Sequence, residues 1–216
     1  MNRLYLVVNE IFKSIQGESS YAGIPCTFIR LTGCNLRCTY CDTTYAYDKG
    51  IEMSLETIEK KIEGYCCKNV CITGGEPLLQ EAVHELIRGL LQLKYKVFVE
   101  TNGSVNISVL PGNVIRVMDI KCPDSRMHGE MDWSNIKGLR PDDDIKFVIS
   151  SREDYEWAKQ ITLAHDLTRK SNVLFGVVYG RLEPGILAEL ILRDKLNVRF
   201  QLQLHKYIWP NRVRGV

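Results

Sequence analysis

Long hydrophobic runs are missing from this chain. Spanning a bilayer takes roughly 18 consecutive apolar residues, and segments such as Val173 to Val178 fall far short of that. A dominant charge is missing too. The 28 Lys and Arg against 26 Asp and Glu leave a formal +2, too mild to argue for nucleic acid or a membrane surface as partner. The opening stretch, Met1 to Ser14, turns polar before a signal-peptide core forms. No repeat, low-complexity tract or evident linker interrupts the sequence, and prolines are few, so residues 1–216 are expected to form one domain with a full core. These absences place the chain in the cytoplasm, where thiols stay reduced. Its 8 cysteines then point to metal or catalysis instead of disulfides.

What is present recurs as strand followed by helix. Cys26–Gly33 reads as a first buried strand leading into a cysteine-rich loop. Ser54–Tyr65 reads as a helix, with Ser54 as its N-cap and Glu56 near the positive end of its dipole. Asn69–Pro77 is a short apolar strand broken by two glycines. The helical pattern of Leu78–Leu93 puts Leu79, Val83, Leu86, Ile87, Leu90 and Leu91 on one face. Strands are expected over 95–103, 114–123, 144–150, 173–180 and 198–206, with helices over 151–167 and 183–196. Near-continuous apolar strands separated by helices favour an α/β fold with a mostly parallel sheet, covered on one face or closing towards a barrel. Ligand sites in such folds gather at the C-terminal ends of the strands, where every motif below lies.

The loop Gly33–Tyr47 holds Cys34, Cys38 and Cys41 within eight residues. A structural zinc site normally needs four ligands, often as two pairs, and no second pair or finger-spaced histidine pair is evident. Buried unliganded thiols fit poorly with a loop rich in Asn, Arg, Thr and Asp. A [4Fe–4S] cluster held by three thiolates, with one iron open to substrate or cofactor, fits best. Downstream, Gly74, Gly75, Glu76 and Pro77 end a strand; glycine there permits a sharp turn and close approach of a ligand to the backbone. Cys66, Cys67, Cys71 and Cys122 read as structural or incidental.

Cys34-x-x-x-Cys38-x-Tyr40-Cys41 together with Gly74–Pro77 resembles the radical S-adenosylmethionine (SAM) superfamily. Four further stretches, Glu10–Ser19, Cys41–Tyr47, Glu100–Ser104 and Gln203–Val216, look like the 7-carboxy-7-deazaguanine synthase family, whose most specific element here is Ser14 to Glu18. The resemblance implies a partial (β/α) TIM-like barrel of the radical SAM type. It implies a lyase of queuosine and deazapurine biosynthesis, in which SAM cleaved at the cluster initiates radical contraction of 6-carboxy-5,6,7,8-tetrahydropterin to 7-carboxy-7-deazaguanine with loss of ammonia. Tyr40 matches the position packing near the adenine of SAM, and Thr43 the family's Mg2+-contacting threonine. Gln16, Gly17, Glu18, Arg30, Thr73, Gly75 and His205 match substrate-contacting positions. In physical terms, Gln16 and Glu18 suit a guanine-like ring edge and Arg30 a carboxylate, while His205 is expected to reach in from the last strand. Gly74, Gly75, Glu76, Glu100, Asn102 and Lys121 are the SAM candidates, with Glu76 expected to bond the SAM ammonium. A flavodoxin or ferredoxin as electron donor and a homodimer are further implied. Some family members carry a longer insertion between the first two cluster cysteines; this chain has the short gap. A glycyl-radical activase shares the three-cysteine motif and an Asp-Ile-Lys strand end like Asp119–Lys121, and is the enzymatic rival.

Overall fold

A computed structural model describes residues 4–216. Its centre is one nine-stranded sheet in the order β3-β1-β2-β4-β5-β6-β7-β8-β9. The strands are β1 (Tyr5–Ile15), β2 (Pro25–Leu31), β3 (Ile51–Ser54), β4 (Asn69–Gly74), β5 (Lys96–Thr101), β6 (Ile115–Asp119), β7 (Asp144–Ile149), β8 (Asn172–Val177) and β9 (Arg199–Gln201). From β2 through β9 every pairing is parallel; β1 pairs antiparallel with both β2 and β3. The sheet is open, with β3 and β9 at its edges. Helices α1 (Leu55–Glu63), α2 (Val83–Gln92), α3 (Arg152–Ala164), α4 (Leu167–Lys170) and α5 (Pro184–Arg193) connect the strands, and α6 (Leu204–Ile208) follows β9. Among the described residues no helix is long and apolar enough to cross a membrane.

Strand alternation sorts the sheet into two faces. Val70 and Ile72 of β4, Val97 and Val99 of β5 and Ile145 and Phe147 of β7 pack in one core with Ile58 and Ile62 of α1, Leu86 and Leu90 of α2 and Tyr155 of α3. The residues between them point the other way. There Phe12, Cys26, Phe28, Cys71, Phe98 and Ile115 form a separate apolar plug. One step further along β2, β4, β5 and β6 stand Arg30, Thr73, Glu100 and Val117, which line a cavity with Lys146 of the neighbouring β7. The inner face thus changes from hydrocarbon to polar groups towards the C-terminal strand ends.

Among the departures from the sequence expectation are β1 and the start of α2. β1 is an eleven-residue strand ahead of the one expected to come first. Its register with β2 shifts between Val8 and Glu10; this bulge turns Leu6 and Val8 to the helical core but Phe12 to the inner plug. α2 starts at Val83, because the preceding segment is occupied elsewhere. The Gln80 amide donates to the Val7 and Thr32 carbonyls at 3.1 and 2.9 Å and accepts from the Val7 N–H at 2.8 Å, leaving Leu79 exposed. The expected cap of α1 is present: Ser54 Oγ accepts from the Thr57 N–H at 3.2 Å.

At the N-terminal end of the sheet, Asp143 is fully buried. Arg116 Nε donates to it at 3.0 Å, and the Arg140 backbone N–H at 2.8 Å. Burial alone would raise this carboxyl, but the two guanidiniums outweigh it and hold the group below its usual range. Removing it leaves Arg116 buried without a counter-charge. Asp143→Ala is therefore expected to cost about 3–5 kcal/mol, read as a lower denaturation midpoint, with the cavity far from the change.

Candidate active site

The cavity has a volume of about 310 Å³ and sits at the C-terminal ends of β2 and β4 to β8. The cysteine loop forms one wall. Leu36 and Ala46 are its buried anchors, and the Gly33 N–H donates to the Ala46 carbonyl at 3.0 Å. The middle of the loop is tied across to the β6 end, where Thr39 Oγ1 donates to Asp124 O at 2.6 Å and its N–H to Ser125 O at 3.2 Å. Cys34, Cys38 and Cys41 all line the cavity. Donors already surround their sulfurs: the Leu36 N–H and Asn102 Nδ2 reach Cys34 Sγ at 3.4 and 3.8 Å, and Thr43 Oγ1 lies 3.7 Å from Cys41 Sγ. Burial raises the Cys38 thiol, opposed by the Lys121 ammonium. No three Cys, His, Asp or Glu among the described residues converge on a single ion. A cubane is larger than an ion and takes thiolates at separate corners, so the spread of three thiols around one cavity, with sulfur-directed donors, fits a cluster with an open iron.

The Gly-Gly turn abuts that loop directly. Gly74 has φ +144°, and a Cβ there would lie 2.2 Å from Leu31 O. A Cβ on Gly75 would lie 2.0 Å from Gly33 O and 2.7 Å from Cys34 Cβ. The Glu76 N–H donates to Gly33 O at 2.7 Å. The Glu76 side chain has partners of its own. It is fully buried and outside the cavity lining, accepting from the Asn102 N–H at 2.7 Å, Thr101 Oγ1 at 2.9 and 3.0 Å and the Leu78 N–H at 3.1 Å. It fastens the turn to the β5 end, where Asn102 faces the cysteines.

Charged groups make the floor. Lys121 Nζ is 2.9 Å from Asp119, and Lys146 Nζ is 2.6 Å from Glu18 and 3.5 Å from Asp119. Burial opposes ionisation of all four, yet each stays charged: mutual attraction holds Asp119 and Glu18 below the usual carboxylate range and lifts Lys121 and Lys146. Asp119 Oδ1 is buried with no hydrogen-bond partner among the described residues, an acceptor suited to a ligand hydroxyl or ammonium. Glu100 accepts from Gln16 Nε2 at 3.3 Å and Thr73 Oγ1 at 3.0 Å, which groups it with the substrate candidates and not with Asn102 and Lys121. Arg30 Nε pairs with Glu10 at 2.8 Å, and its terminal nitrogens make no hydrogen bond among the described residues, so they are available to an anion. Tyr40 lines the cavity with its hydroxyl donating to Val148 O at 3.2 Å.

His205 comes from α6 and not from a strand: β9 ends at Gln201, and the Leu204 N–H donates to Gly17 O at 3.0 Å, turning the chain back over the Gln16–Glu18 loop. Burial lowers the His205 imidazole pKa, so it is mainly neutral at pH 7. All the candidates other than Glu76 line the one cavity. Sequence reasoning missed Lys146, Asp42, Gln203 and Lys206 there; Lys206 Nζ is 2.9 Å from Asp42. A lysine inside a strand of apolar residues was the available signal for Lys146.

The radical SAM superfamily profile matches residues 28–180. A 7-carboxy-7-deazaguanine synthase of Koribacter versatilis is 42% identical over 226 residues, covering 97% of this chain and 99% of that protein. One of Chlorobaculum tepidum is 43% identical over 214 residues, covering 98% and 97%. Among solved structures, QueE from Escherichia coli matches with a TM-score of 0.77 at 21% identity, covering 92% of this chain and 93% of that one. Streptococcus suis SuiB bound to S-adenosylmethionine matches with a TM-score of 0.54 at 18% identity, covering 78% and 48%. These two structures bear on the fold.

Gly75→Ala is expected to push the turn off Gly33 at a cost of about 1–3 kcal/mol. The reconstituted variant should keep native circular dichroism but hold iron and sulfide well below the wild-type content.

Proposed function

The chain belongs to the 7-carboxy-7-deazaguanine synthase family of the radical SAM superfamily, and we propose that it converts 6-carboxy-5,6,7,8-tetrahydropterin to 7-carboxy-7-deazaguanine with loss of ammonia. The observation that carries this is one cavity joining three thiols, a glycine turn and a polar floor with paired acceptors and a partly free arginine. When bound, the cluster and SAM supply a carbon radical that removes a hydrogen atom from the substrate. The chain's own work is holding and orienting. Cys34, Cys38 and Cys41 hold the cluster. Tyr40 packs against the adenine, and Gly74 and Gly75 present backbone to SAM, with Asn102, Lys121 and the open oxygen of Asp119 beside them. Gln16, Glu18, Thr73, Glu100 and His205 surround the pterin, and Arg30 takes its carboxylate. Thr43 is the protein ligand for Mg2+, a hard cation suited to its hydroxyl, water and the substrate carboxylate.

The reading includes a single radical SAM domain over 1–216, a flavodoxin or ferredoxin as electron donor, a homodimer and a cytoplasmic setting, with neither nucleic acid nor membrane as partner. The mild charge supports the first of these exclusions, and among the described residues no helix is long and apolar enough to cross a membrane.

Anaerobic turnover of the reconstituted protein with SAM, Mg2+, a strong reductant and the pterin tests this. Formation of 7-carboxy-7-deazaguanine, abolished by Cys38→Ala, is the expected result. Cleavage of SAM with the pterin intact would sink the substrate assignment. In the same assay Arg30→Gln is expected to raise KM at least about tenfold by removing a charge-assisted contact.

A further inference from the structure

Lys146 lies in the middle of β7, between Ile145 and Phe147, both fully buried against the helices. Alternation sends its side chain to the inner face, where it is 12% exposed. An ammonium in such a place costs several kcal/mol unless carboxylates surround it. Three do. Glu18 Oε2 is 2.6 Å away, Asp119 Oδ2 is 3.5 Å away, and Glu100 adds its charge from β5. Asp119 is also its register partner on β6.

The other oxygen of Glu18 accepts from Gln203 Nε2 at 3.0 Å. Each carboxylate oxygen has two acceptor positions. Lys146 and Gln203 therefore take one on each oxygen and leave one on each open. The open pair matches two parallel N–H donors, as on the amino-substituted edge of a pterin.

We infer that Lys146 is a positioning residue for substrate: its ammonium fixes the Glu18 carboxylate so that both oxygens receive the N–H pair of the ring edge. This rests on the pterin reading above. The groups facing Glu18 are Lys146 from β7 and His205 and Gln203 from the tail after β9. Burial would raise the Glu18 carboxyl, and the Lys146 ammonium, paired with it at 2.6 Å, is the first of the influences that outweigh it. Without Lys146, the burial that opposes ionisation is left less opposed, and the carboxyl is pushed up towards protonation. In its protonated form it donates with one oxygen and no longer accepts a donor pair.

The test is anaerobic fluorescence titration of the reconstituted holoenzyme, with SAM present, using 6-carboxypterin, the unreactive aromatic form of the substrate. Wild-type affinity is expected to change little across neutral pH, because Glu18 stays ionised there and the ring keeps its N–H pair. Lys146→Met is expected to bind at least about tenfold more weakly at neutral pH and to recover as rising pH ionises the raised carboxyl. The double variant Lys146→Met/Glu18→Gln should bind no more weakly than Glu18→Gln alone. Unchanged affinity in Lys146→Met overturns the inference. So does a loss that is equal at every pH and additive with Glu18→Gln, which marks a general packing role. A wild type that cleaves SAM but does not bind 6-carboxypterin overturns the pterin reading and this inference with it; a wild type that binds while the variants misbehave as above overturns the inference alone.

Discussion

The contact between Gly33 and Gly75 sets the geometry of everything else at the site. Two loops leaving adjacent parallel strands, β2 and β4, touch backbone to backbone, with the Glu76 N–H on Gly33 O at 2.7 Å and the Gly75 N–H on Leu31 O at 3.3 Å. Neither a side chain nor a layer of water fits between them. The cysteine loop therefore cannot shift without the turn. Through the buried Glu76 carboxylate, the turn in turn fixes Thr101 and Asn102 at the end of β5. Three consecutive strand ends act as one rigid rim, which is what a reaction at a held cofactor requires of a scaffold.

The electrostatics follow from the same layering. An apolar plug of Phe12, Phe28, Phe98 and Ile115 closes the inner face below the polar floor, so the floor charges are shielded from solvent on one side. In that setting they keep their ionisation only by pairing: Asp119 with Lys121 at the end of β6, and Lys146 of β7 across to Asp119 and to Glu18 in the loop after β1. A network of this kind makes each member dependent on its neighbours. The dependence extends from the cysteine wall, where Lys121 acts on Cys38, to the tail, where Gln203 meets Glu18.

What was legible in the sequence was local. The spacing of Cys34, Cys38 and Cys41, the Gly74–Gly75 pair and the apolar parallel strands each announce themselves within about ten residues, and the structure brings these motifs to one cavity. What was not legible depends on distant partners. β1 hides because its bulge near Asn9 breaks the alternation and its polar residues pair with loops: Asn9 Nδ2 reaches Tyr45 O at 3.1 Å. Val198 to Lys206 alternates like a strand, but only Arg199–Gln201 find a neighbour on β8, and the bond from Leu204 to Gly17 turns the rest into α6. Glu76 looked like a ligand-facing carboxylate because nothing nearby in sequence reveals that Thr101 and Asn102 will claim it.

Charge balance in the cavity accounts for the unequal pairing of its cations. Four carboxylates, Glu18, Asp42, Glu100 and Asp119, line it with four cations, Arg30, Lys121, Lys146 and Lys206. The lysines are each committed to lining carboxylates at 2.6 to 2.9 Å. Arg30 is committed to Glu10, outside the lining, and through Nε only. Glu10 is in turn held by the Tyr45 hydroxyl and the Gly215 N–H, each at 3.2 Å. Arg30 is thus aimed by one edge of its guanidinium and open at the other. A single added negative charge is best accommodated there, and a neutral donor edge is best accommodated at Glu18. A small molecule bearing one carboxylate and an N–H pair satisfies both without forcing any of the buried lysine pairs apart.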